Sequence, residues 1–380
     1  MNKPYPHQPL GNFIRAVDVR NSSGAVSRLL GVSVNKCFIP SVANTIGTDM
    51  TNYKVVRKGQ FVYVPVTSRN GEKITIAHFQ EEECIVSQAY TVFEVIEGAG
   101  LLAKYLMLWF LRPEFDRYAR FHSHGSAREV FDWETLCATL IPVPPLAEQE
   151  CIVSQFATIE ERMRQCRERI ALLERTATAV YRKTFVEGID RNNLPEGWLM
   201  GTLGEVAERI VAGTIPVYDD TAEYLVLGQK CVRNHRIDLS EARKHKPKAN
   251  CIYLRKGDIL INSTGDGSLG RVGQYWGNEQ ELAFDSNVTL LRPKNETEAY
   301  YLGCYLFSLE DYFVRISQGS TNQTRLYCSM VRATELWIPP QAILDVFAQK
   351  MSIIQPSINN NYSQLNRLEK LKTALLTQIK

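Results

Sequence analysis

The 380-residue sequence has no apolar run of the roughly 18–20 residues that a membrane-spanning helix needs. The longest candidate, residues 101–111, is too short and contains Lys104. The N-terminal segment lacks the apolar core of a signal peptide. These absences argue against a membrane protein or a secreted one, and they predict a cytoplasmic chain that does not engage a membrane.

An excess of one charge is also lacking, because 44 Lys and Arg residues against 41 Asp and Glu residues leave a net charge of +3. This balance permits nucleic-acid binding through a local basic patch without requiring it. The nine cysteines are odd in number and include no Cys-x-x-Cys pair, which argues against a disulfide framework or a zinc site. We interpret them as scattered, reduced and mostly buried thiols.

Sequence signatures of catalysis are missing as well. There is no Gly-x-x-x-x-Gly-Lys-Ser/Thr phosphate loop, no His-Glu-x-x-His zinc helix and no Gly-x-Ser-x-Gly nucleophile elbow. The Asn/Asp-Pro-Pro-aromatic run of amino-methyltransferases is absent too. The composition, with 44% hydrophobic and 22% charged residues, is that of an ordinary globular protein, and the length favours two or three domains.

The sequence does contain an internal repeat. Pro144-Pro145 and Pro339-Pro340 lie 195 residues apart, and each pair precedes apolar residues spaced alternately by four and three. This heptad spacing keeps one apolar seam along a helix, and about 33 residues in each series correspond to roughly 50 Å of helix. We expect the two helices to pack against each other in antiparallel fashion, with a globular head at each end. Pairing within a homo-oligomer is the alternative.

The repeat predicts a mixed α/β (α+β) architecture of two heads and two long helices. The first head covers residues 1–141, the first helix 142–190, the second head 191–338 and the second helix 339–380. In the first head we expect strands at 61–66, 74–79 and 90–96 and a helix at 101–119. Pro356 should kink the second long helix or delay its start. Asn361 and Lys372 put polar groups on the seam of that helix, which fixes register.

Loops with small polar and basic residues follow strands in both heads. Residues 265–270 fit Gly-x-Gly-x-x-Gly, but a dinucleotide site requires a helix next, and the following residues instead predict a strand. We therefore predict a hairpin loop, with residues 67–73 as its counterpart in the first head. Side chains of such loops can donate to phosphates and to base edges. A solvated hairpin tip is the alternative.

A second pair of matched segments, residues 121–128 and 316–325, ends a helical stretch in each head. Backbone N–H groups in such segments could hold a phosphate. His122 and His124 have the spacing of a metal pair, but no third ligand is close in sequence, so an ordinary loop is favoured.

A cluster of basic residues between 230 and 248 suits phosphate contact, with a charged solvent face as an equal alternative. Only Asp238 and Glu241 oppose it. Its members are Lys230, Arg233, His235, Arg236, Arg243, Lys244, His245, Lys246 and Lys248.

These motifs together resemble those of a known family. The segment Ile141-Pro142-Val143-Pro144-Pro145-Leu146-Ala147-Glu148-Gln149, which runs into the first heptad series, resembles a hallmark of the specificity (S) subunits of type I restriction-modification enzymes. Leu194-Pro195-Glu196-Gly197-Trp198 and Ala212-Gly213-Thr214-Ile215-Pro216 resemble the start of the family's second recognition domain and the segment after it. The second repeat departs from the pattern, because Pro339-Pro340-Gln341-Ala342-Ile343-Leu344 lacks the Glu-Gln pair.

The resemblance covers nearly the whole chain and implies a non-catalytic reader of double-stranded DNA. In the family, each target-recognition domain reads one half of a bipartite target, and the two helices, packed as an antiparallel coiled coil, set the gap. Two modification subunits use S-adenosylmethionine to methylate adenine, and two restriction subunits use ATP and Mg²⁺. This chain itself is expected to bind no metal and no cofactor.

The paired loops supply the DNA contacts that we predict. In the first head these are Ser68, Arg69, Asn70, Lys73, Ser126 and Arg128. In the second head they are Lys230, Arg233, Asp266, Ser268, Arg271, Gly319, Ser320, Thr321, Asn322 and Arg325. Two other classes stay open. A protein-interaction scaffold would show no steep salt dependence of duplex binding, and an enzyme using the glycine-rich loop would be stabilised by a nucleotide.

Overall fold

The computed structural model describes residues 5–41, 48–68, 71–125, 128–190, 192–278, 281–319 and 324–379. The chain divides into two compact units, one of Met1–Gln165 with Gln364–Lys380 and one of Cys166–Ser363. Each unit therefore combines a head with a segment of each long helix. The bounds of the four segments predicted above stay predictions.

The first unit contains a head of short strands and helices. Its strands are β1 His7–Pro9, β2 Ile14–Val17, β3 Leu30–Val32, β4 Phe38–Pro40, β5 Lys54–Arg57, β6 Phe61–Tyr63, β7 Ile76–His78, β8 Glu83–Val86, β9 Thr91–Val95 and β10 Leu140–Pro142. Its helices are α1 Ala103–Phe110, α2 Pro113–Phe121 and α3 Trp133–Ala138, and α4 Leu146–Phe185 is the first long helix. The main antiparallel sheet has the order β2-β9-β6-β7. The three predicted strands are thus confirmed in shorter form.

The helix predicted at 101–119 is in fact two helices. The break falls at Arg112, whose backbone is extended with φ −71° and ψ 136°, and α2 starts at Pro113. Proline has no N–H to continue a helix and disfavours a helical conformation in the residue before it. Two short helices let both Phe110 and Phe115 reach the core beside the sheet.

Cysteine burial also differs from the prediction. Of the nine cysteines, only Cys84, Cys166 and Cys231 are buried, whereas Cys37 and Cys151 are exposed and the other four are partly exposed. Cys37 lies in the turn between β3 and β4, and Cys151 lies on α4.

The second unit contains a larger head. Its strands are β11 Leu199–Thr202, β12 Arg209–Ala212, β13 Val217–Tyr218, β14 Leu225–Leu227, β15 Val232–Arg233, β16 His235–Ile237, β17 Arg243–Lys246, β18 Ile259–Asn262, β19 Val272–Gln274, β20 Leu282–Phe284, β21 Val288–Arg292 and β22 Glu335–Ile338. Its helices are α5 Leu203–Val206, α6 Glu296–Phe307, α7 Glu310–Ile316 and α8 Cys328–Arg332, and α9 Gln341–Gln378 is the second long helix.

Sheet order repeats between the two heads. The order β12-β21-β18-β19 in the second head matches β2-β9-β6-β7 in the first, and β16 and β15 extend the second sheet further. Each head also joins its first strand to the strand that precedes its long helix, as β1 with β10 and β11 with β22. The duplication predicted from sequence is therefore present in the topology.

Within each unit, segments of α4 and α9 pack antiparallel. In the first unit Lys372 Nζ lies 2.5 Å from Glu160 Oε1, and the later Leu376 joins the core that also contacts Ile152. In the second unit Tyr362 Oη donates to Glu174 Oε1 at 3.0 Å, and the ring centroids of Phe185 and Phe347 are 4.9 Å apart. The expected pairing within one chain is thus observed in each unit. A continuous heptad seam stays a prediction.

Three residues of α9 were expected to affect its start or its packing, namely Pro356, Lys372 and Asn361. The helix begins at Gln341 and continues through Pro356, so the proline does not delay its start. Lys372 makes an ion pair with Glu160 of α4, and its role in setting register stays a prediction. Asn361 instead donates from Nδ2 to Ser357 O at 2.8 Å within its own helix.

The Pro-Pro-Leu-Ala-Glu-Gln segment has a clear structural role at Gln149. This side chain is fully buried, accepts from Leu102 N and donates to Gly100 O and Pro144 O, each at 2.8 Å. It therefore ties the start of α4 to the loop before α1. The matching residue of the second repeat, Leu344, packs in an apolar core cluster instead. The second copy replaces a polar network with apolar burial.

Candidate nucleic-acid interface

The first head brings two of the predicted loops together. Thr67, at the start of the loop between β6 and β7, donates from its backbone N to Glu129 O at 2.9 Å. Val130 then pairs with both Val66 and His124. The hairpin loop and the segment 121–128 are thus neighbours on one edge of the head.

Gly125 sets the conformation of the second of these loops. Its φ is +139°, and a Cβ there would lie 2.1 Å from Arg128 O. Only glycine is compatible with this close approach. The turn leaves Arg128 exposed, and Ser68 and Lys73 are exposed in the neighbouring hairpin loop.

A buried lysine stabilises one end of the hairpin loop in the first head. Lys36 Nζ lies 2.8 Å from Asp116 Oδ1, with 4% and 14% of the two side chains exposed. The same Oδ1 accepts from Ile74 N at 3.1 Å, directly after Lys73. Burial lowers the pKa of Lys36, and the hydrogen bond to Asp116 opposes this shift. One end of the loop is therefore fixed by a buried ion pair.

The glycine-rich loop of the second head is a hairpin, as predicted. β18 and β19 are antiparallel, with Leu260 opposite Gly273. Gly265 and Gly270 have φ values of +103° and +81°. Arg271 Nη2 donates to Gly267 O at 2.6 Å, while Asp266 at the tip is exposed.

The segment around Gly319 repeats the geometry found around Gly125. Gln318 and Arg325 pair through hydrogen bonds of 3.0 and 2.8 Å, as His124 and Val130 do at 3.1 and 2.9 Å. Gly319 has φ +142°. Arg325 Nη2 donates to Ser286 O at 3.0 Å, in the turn between β20 and β21. The next residue, Leu326, donates from its backbone N to Ser263 O, shortly before the glycine-rich loop.

A polar network that the sequence did not indicate joins these elements. Gln229 Nε2 donates to Thr264 Oγ1, and Thr264 Oγ1 donates to Asn287 Oδ1 at 3.1 Å. Asn262 Nδ2 donates to Gln229 O at 3.0 Å. The only sequence signal was the run Asn262-Ser263-Thr264 after a buried strand. Gln229 and Asn287 come from distant segments and carried none.

Asp285 holds this network in place from the buried side. Its Oδ1 accepts from Asn287 N at 2.8 Å. Burial raises the pKa of Asp285, and the hydrogen bonds from Asn287 oppose that shift. The carboxyl group thus orients Asn287, which in turn accepts from Thr264.

Two predicted cations flank the network. Lys230 follows Gln229 directly, and Arg233 ends strand β15; both are exposed, and neither makes an ion pair among the contacts of the described residues. Arg233 and Arg271 line one cleft of about 1120 Å³ in the second unit. The structure therefore gathers Lys230, Arg233, Ser268, Arg271 and Arg325 around one region.

The basic cluster as a whole does not form one open face. His245 is 1% exposed and points into the protein, because alternate residues of a strand face opposite sides. Arg236 stacks 3.0 Å from the centroid of the Tyr362 ring, and Lys246 pairs with Asp219 at 2.5 Å. The prediction of a shared phosphate surface is therefore wrong for His245 and Arg236.

Six predicted contact residues lie outside the described residues. They are Arg69, Asn70, Ser126, Ser320, Thr321 and Asn322. Their role in DNA contact stays a prediction.

The two histidines considered as a metal pair are engaged otherwise. The His122 ring packs at a tilt against Tyr118 with centroids 4.3 Å apart, and the backbone of His124 pairs with Val130. Within the described residues, no cluster of three or more His, Cys, Asp or Glu side chains could hold a metal ion. None of the helices in the described part of the chain is both long and apolar enough to cross a membrane.

Known proteins resemble this chain along most of its length. The family described as "Type I restriction modification DNA specificity domain" matches residues 35–175 and 195–376. The MjaIX type I restriction enzyme specificity subunit of Methanocaldococcus jannaschii is 23% identical over 311 residues, which is 75% of this chain and 70% of that protein. The EcoBI specificity subunit of Escherichia coli is 26% identical over 167 residues, 37% of this chain and 35% of that protein.

A solved structure shares the fold. The crystal structure of a type I restriction-modification system S subunit from M. genitalium superposes with a TM-score of 0.61 at 12% identity, covering 99% of this chain and 96% of that one. Because the two family matches together cover well over half of the sequence, one in each repeat, the chain belongs to the type I restriction-modification DNA specificity family.

Proposed function

We propose that this chain is the DNA sequence-specificity subunit of a type I restriction-modification complex and that it reads a bipartite target. Each unit reads one half of the target through its own pair of loops. The long helices α4 and α9, which contribute to both units, set the unspecific gap. The chain directs modification and restriction subunits to the site and carries out no chemistry itself.

The observation that carries this proposal is the repeated loop geometry. Both heads place a glycine of nearly equal positive φ, Gly125 or Gly319, inside a backbone-paired turn beside a hairpin loop. Two copies of one turn that exposes side chains, with different side chains in each copy, suit the reading of two different half-sites. A fold needs no such duplicated exposed loops for stability.

Two groups of exposed side chains would contact different parts of the DNA, one the phosphates and the other the bases. Lys230 and Arg233 would contact phosphates, which give affinity and salt dependence but no sequence preference. Side chains of the loops, such as Arg128 and Arg271, would read base edges in the major groove. A good bidentate contact to a base discriminates by about 1–3 kcal/mol.

The partners follow from the family. We propose two modification subunits that bring S-adenosylmethionine, two restriction subunits that bring ATP and Mg²⁺, and assembly in the cytoplasm on double-stranded DNA. This chain would hold none of these cofactors.

An adenine-methylation map of the host genome, with and without the gene, tests the proposal. We expect one split motif with a fixed gap to lose its methylation on deletion, and complementation with the gene to restore it. Where the modification partner is shown to be active, identical maps would contradict the proposal and favour a scaffold role. The map also supplies both half-site sequences for binding experiments.

A further inference from the structure

Phe121, the last residue of α2, carries an aromatic ring that is 78% exposed. Earlier residues of the same helix, Phe115 and Ala119, are buried. One exposed apolar side chain is ordinary in itself. This ring differs from other exposed apolar side chains in its position beside the candidate interface and in the aromatic contacts that hold it.

A chain of rings supports Phe121 from the core outward. The buried Phe131 meets Tyr118 edge-on at 6.3 Å, the Tyr118 ring contacts His122 at 4.3 Å with a tilt of 42°, and His122 meets Phe121 edge-on at 5.1 Å. The backbone below is fixed as well, because Ser123 Oγ donates to Ala119 O at 2.6 Å. A braced ring loses little freedom when a partner stacks on it.

The ring also borders the candidate interface. Four residues after it comes the Gly125 turn, which is paired through His124 and Val130 to the neighbouring hairpin. Arg128 beyond the turn is exposed and makes no ion pair among the described contacts. Arg117 on α2 is 71% exposed and lies 3.5 Å from Glu114 Oε1. A flat apolar ring among exposed cations suits a base flanked by phosphates.

The second head lacks this ring. With Gly125 aligned to Gly319, the residue at the position of Phe121 is Arg315, which is exposed near the end of α7. An arginine there suits a phosphate contact rather than insertion into the base stack. The two heads therefore differ in chemistry at one matched position.

We propose that Phe121 inserts between two adjacent base pairs at the edge of the half-site read by the first head, and stacks on one of them. Apolar side chains that enter a base step partly unstack it and bend the duplex. Phe121 would thus couple recognition of the first half-site to a local distortion that the second half-site does not undergo. This inference rests on the proposed function.

The test uses the full chain assembled with its modification subunits and a duplex carrying both mapped half-sites. 2-Aminopurine is placed in turn at each position through and just beyond each half-site, so that fluorescence reports unstacking. Wild type should raise the signal at one step beside the first half-site. Phe121→Ala should abolish it and weaken binding about 5- to 150-fold, the range for stacking one base on an aromatic ring.

Further variants separate stacking from simple loss of bulk. Phe121→Tyr should keep both the signal and the affinity, whereas Phe121→Arg, which copies the second head, should lose the signal. Ile215→Ala removes another apolar side chain, 69% exposed, and should change neither. Thermal unfolding confirms that each variant is folded.

The outcomes distinguish the two proposals. A wild-type complex without preference for the bipartite duplex would overturn the proposed function, and the inference would fall with it. Sequence-specific binding by wild type together with an unaltered Phe121→Ala variant would overturn only the inference. Weaker binding with no position-specific fluorescence change would also reject insertion.

Discussion

Gly125 and Gly319 share one backbone conformation, with φ values of +139° and +142°, at matched positions of the two repeats. Each lies inside a turn closed by a two-hydrogen-bond bridge. A serine follows each glycine, but the next two residues differ between the heads, Ala127-Arg128 in the first and Thr321-Asn322 in the second. The two repeats therefore share the backbone conformation of this turn but expose different side chains on it.

Gly125→Ala should damage the first loop specifically. The new Cβ would meet Arg128 O at 2.1 Å, and φ of +139° is strained for any residue with a side chain. We expect about 1–3 kcal/mol of strain and loss of preference at the first half-site only. Unfolding curves and binding to duplexes altered in one half-site measure the two effects.

Gly31→Ala is the matched control, because its Cβ would approach nothing closer than 3.8 Å. It should leave both half-sites unaffected. Equal loss of preference at both half-sites in Gly125→Ala would contradict a local role for this turn.

Gln149→Leu should destabilise the first unit, although leucine is the natural residue at the matched position of the second repeat. The change leaves Leu102 N, Gly100 O and Pro144 O without their 2.8 Å partner. Each buried group left unpaired costs about 1–3 kcal/mol, so we expect a loss of about 2–4 kcal/mol after partial relaxation. Urea unfolding measures it.

Gln155→Leu changes the same residue type on the same helix, but at an exposed position. It should alter stability by less than about 0.5 kcal/mol. If both variants unfold at the same urea concentration, the polar network around Gln149 does not anchor α4.

Stability of the first unit should depend on pH through His78. Burial, aided by the charge of Lys104, lowers the pKa of His78 from 6.5 to about 4, although a hydrogen bond with the Gly59 backbone opposes the shift. The unfolded chain then binds the proton more readily than the folded one. The free energy of unfolding is therefore not reduced by His78 above about pH 6.5, and it falls as the pH falls toward 4, by about 3 kcal/mol at most.

His78→Phe should reduce this pH dependence, since phenylalanine can keep the stacking on Phe61 without titrating. Urea unfolding at several pH values between 4 and 7.5 gives the slope of unfolding free energy. An unchanged slope in the variant would assign the acid sensitivity to other groups.

Much of the architecture followed from sequence because it depends on periodic patterns. The heptads after Pro144-Pro145 and Pro339-Pro340 predicted both long helices, and the strand after Gly270 excluded a dinucleotide fold. Features set by tertiary contact were missed. No local pattern marks Gln229 and Asn287 as partners of Thr264, or shows that His245 in a run of basic residues faces inward.

Arg271→Ala should relax recognition of the second half-site alone. One Nη of Arg271 bonds Gly267 O at 2.6 Å, which steadies the guanidinium and leaves other N–H groups for a base edge. Loss of a bidentate base contact costs about 1–3 kcal/mol on the correct sequence and less on altered ones. Competition binding with duplexes changed in one half-site at a time measures this difference.

Lys230→Ala provides the contrast, because an exposed lysine that contacts phosphate should weaken binding to all duplexes alike. It should also lower the slope of log K against log salt by about 1. Arg255→Ala, at an arginine that is 66% exposed and paired with Glu208, is the control without effect. If Arg271→Ala behaves like Lys230→Ala, with uniform loss and a smaller salt slope, Arg271 contacts phosphate, and the base-reading side chains of the second head must lie elsewhere in its loops.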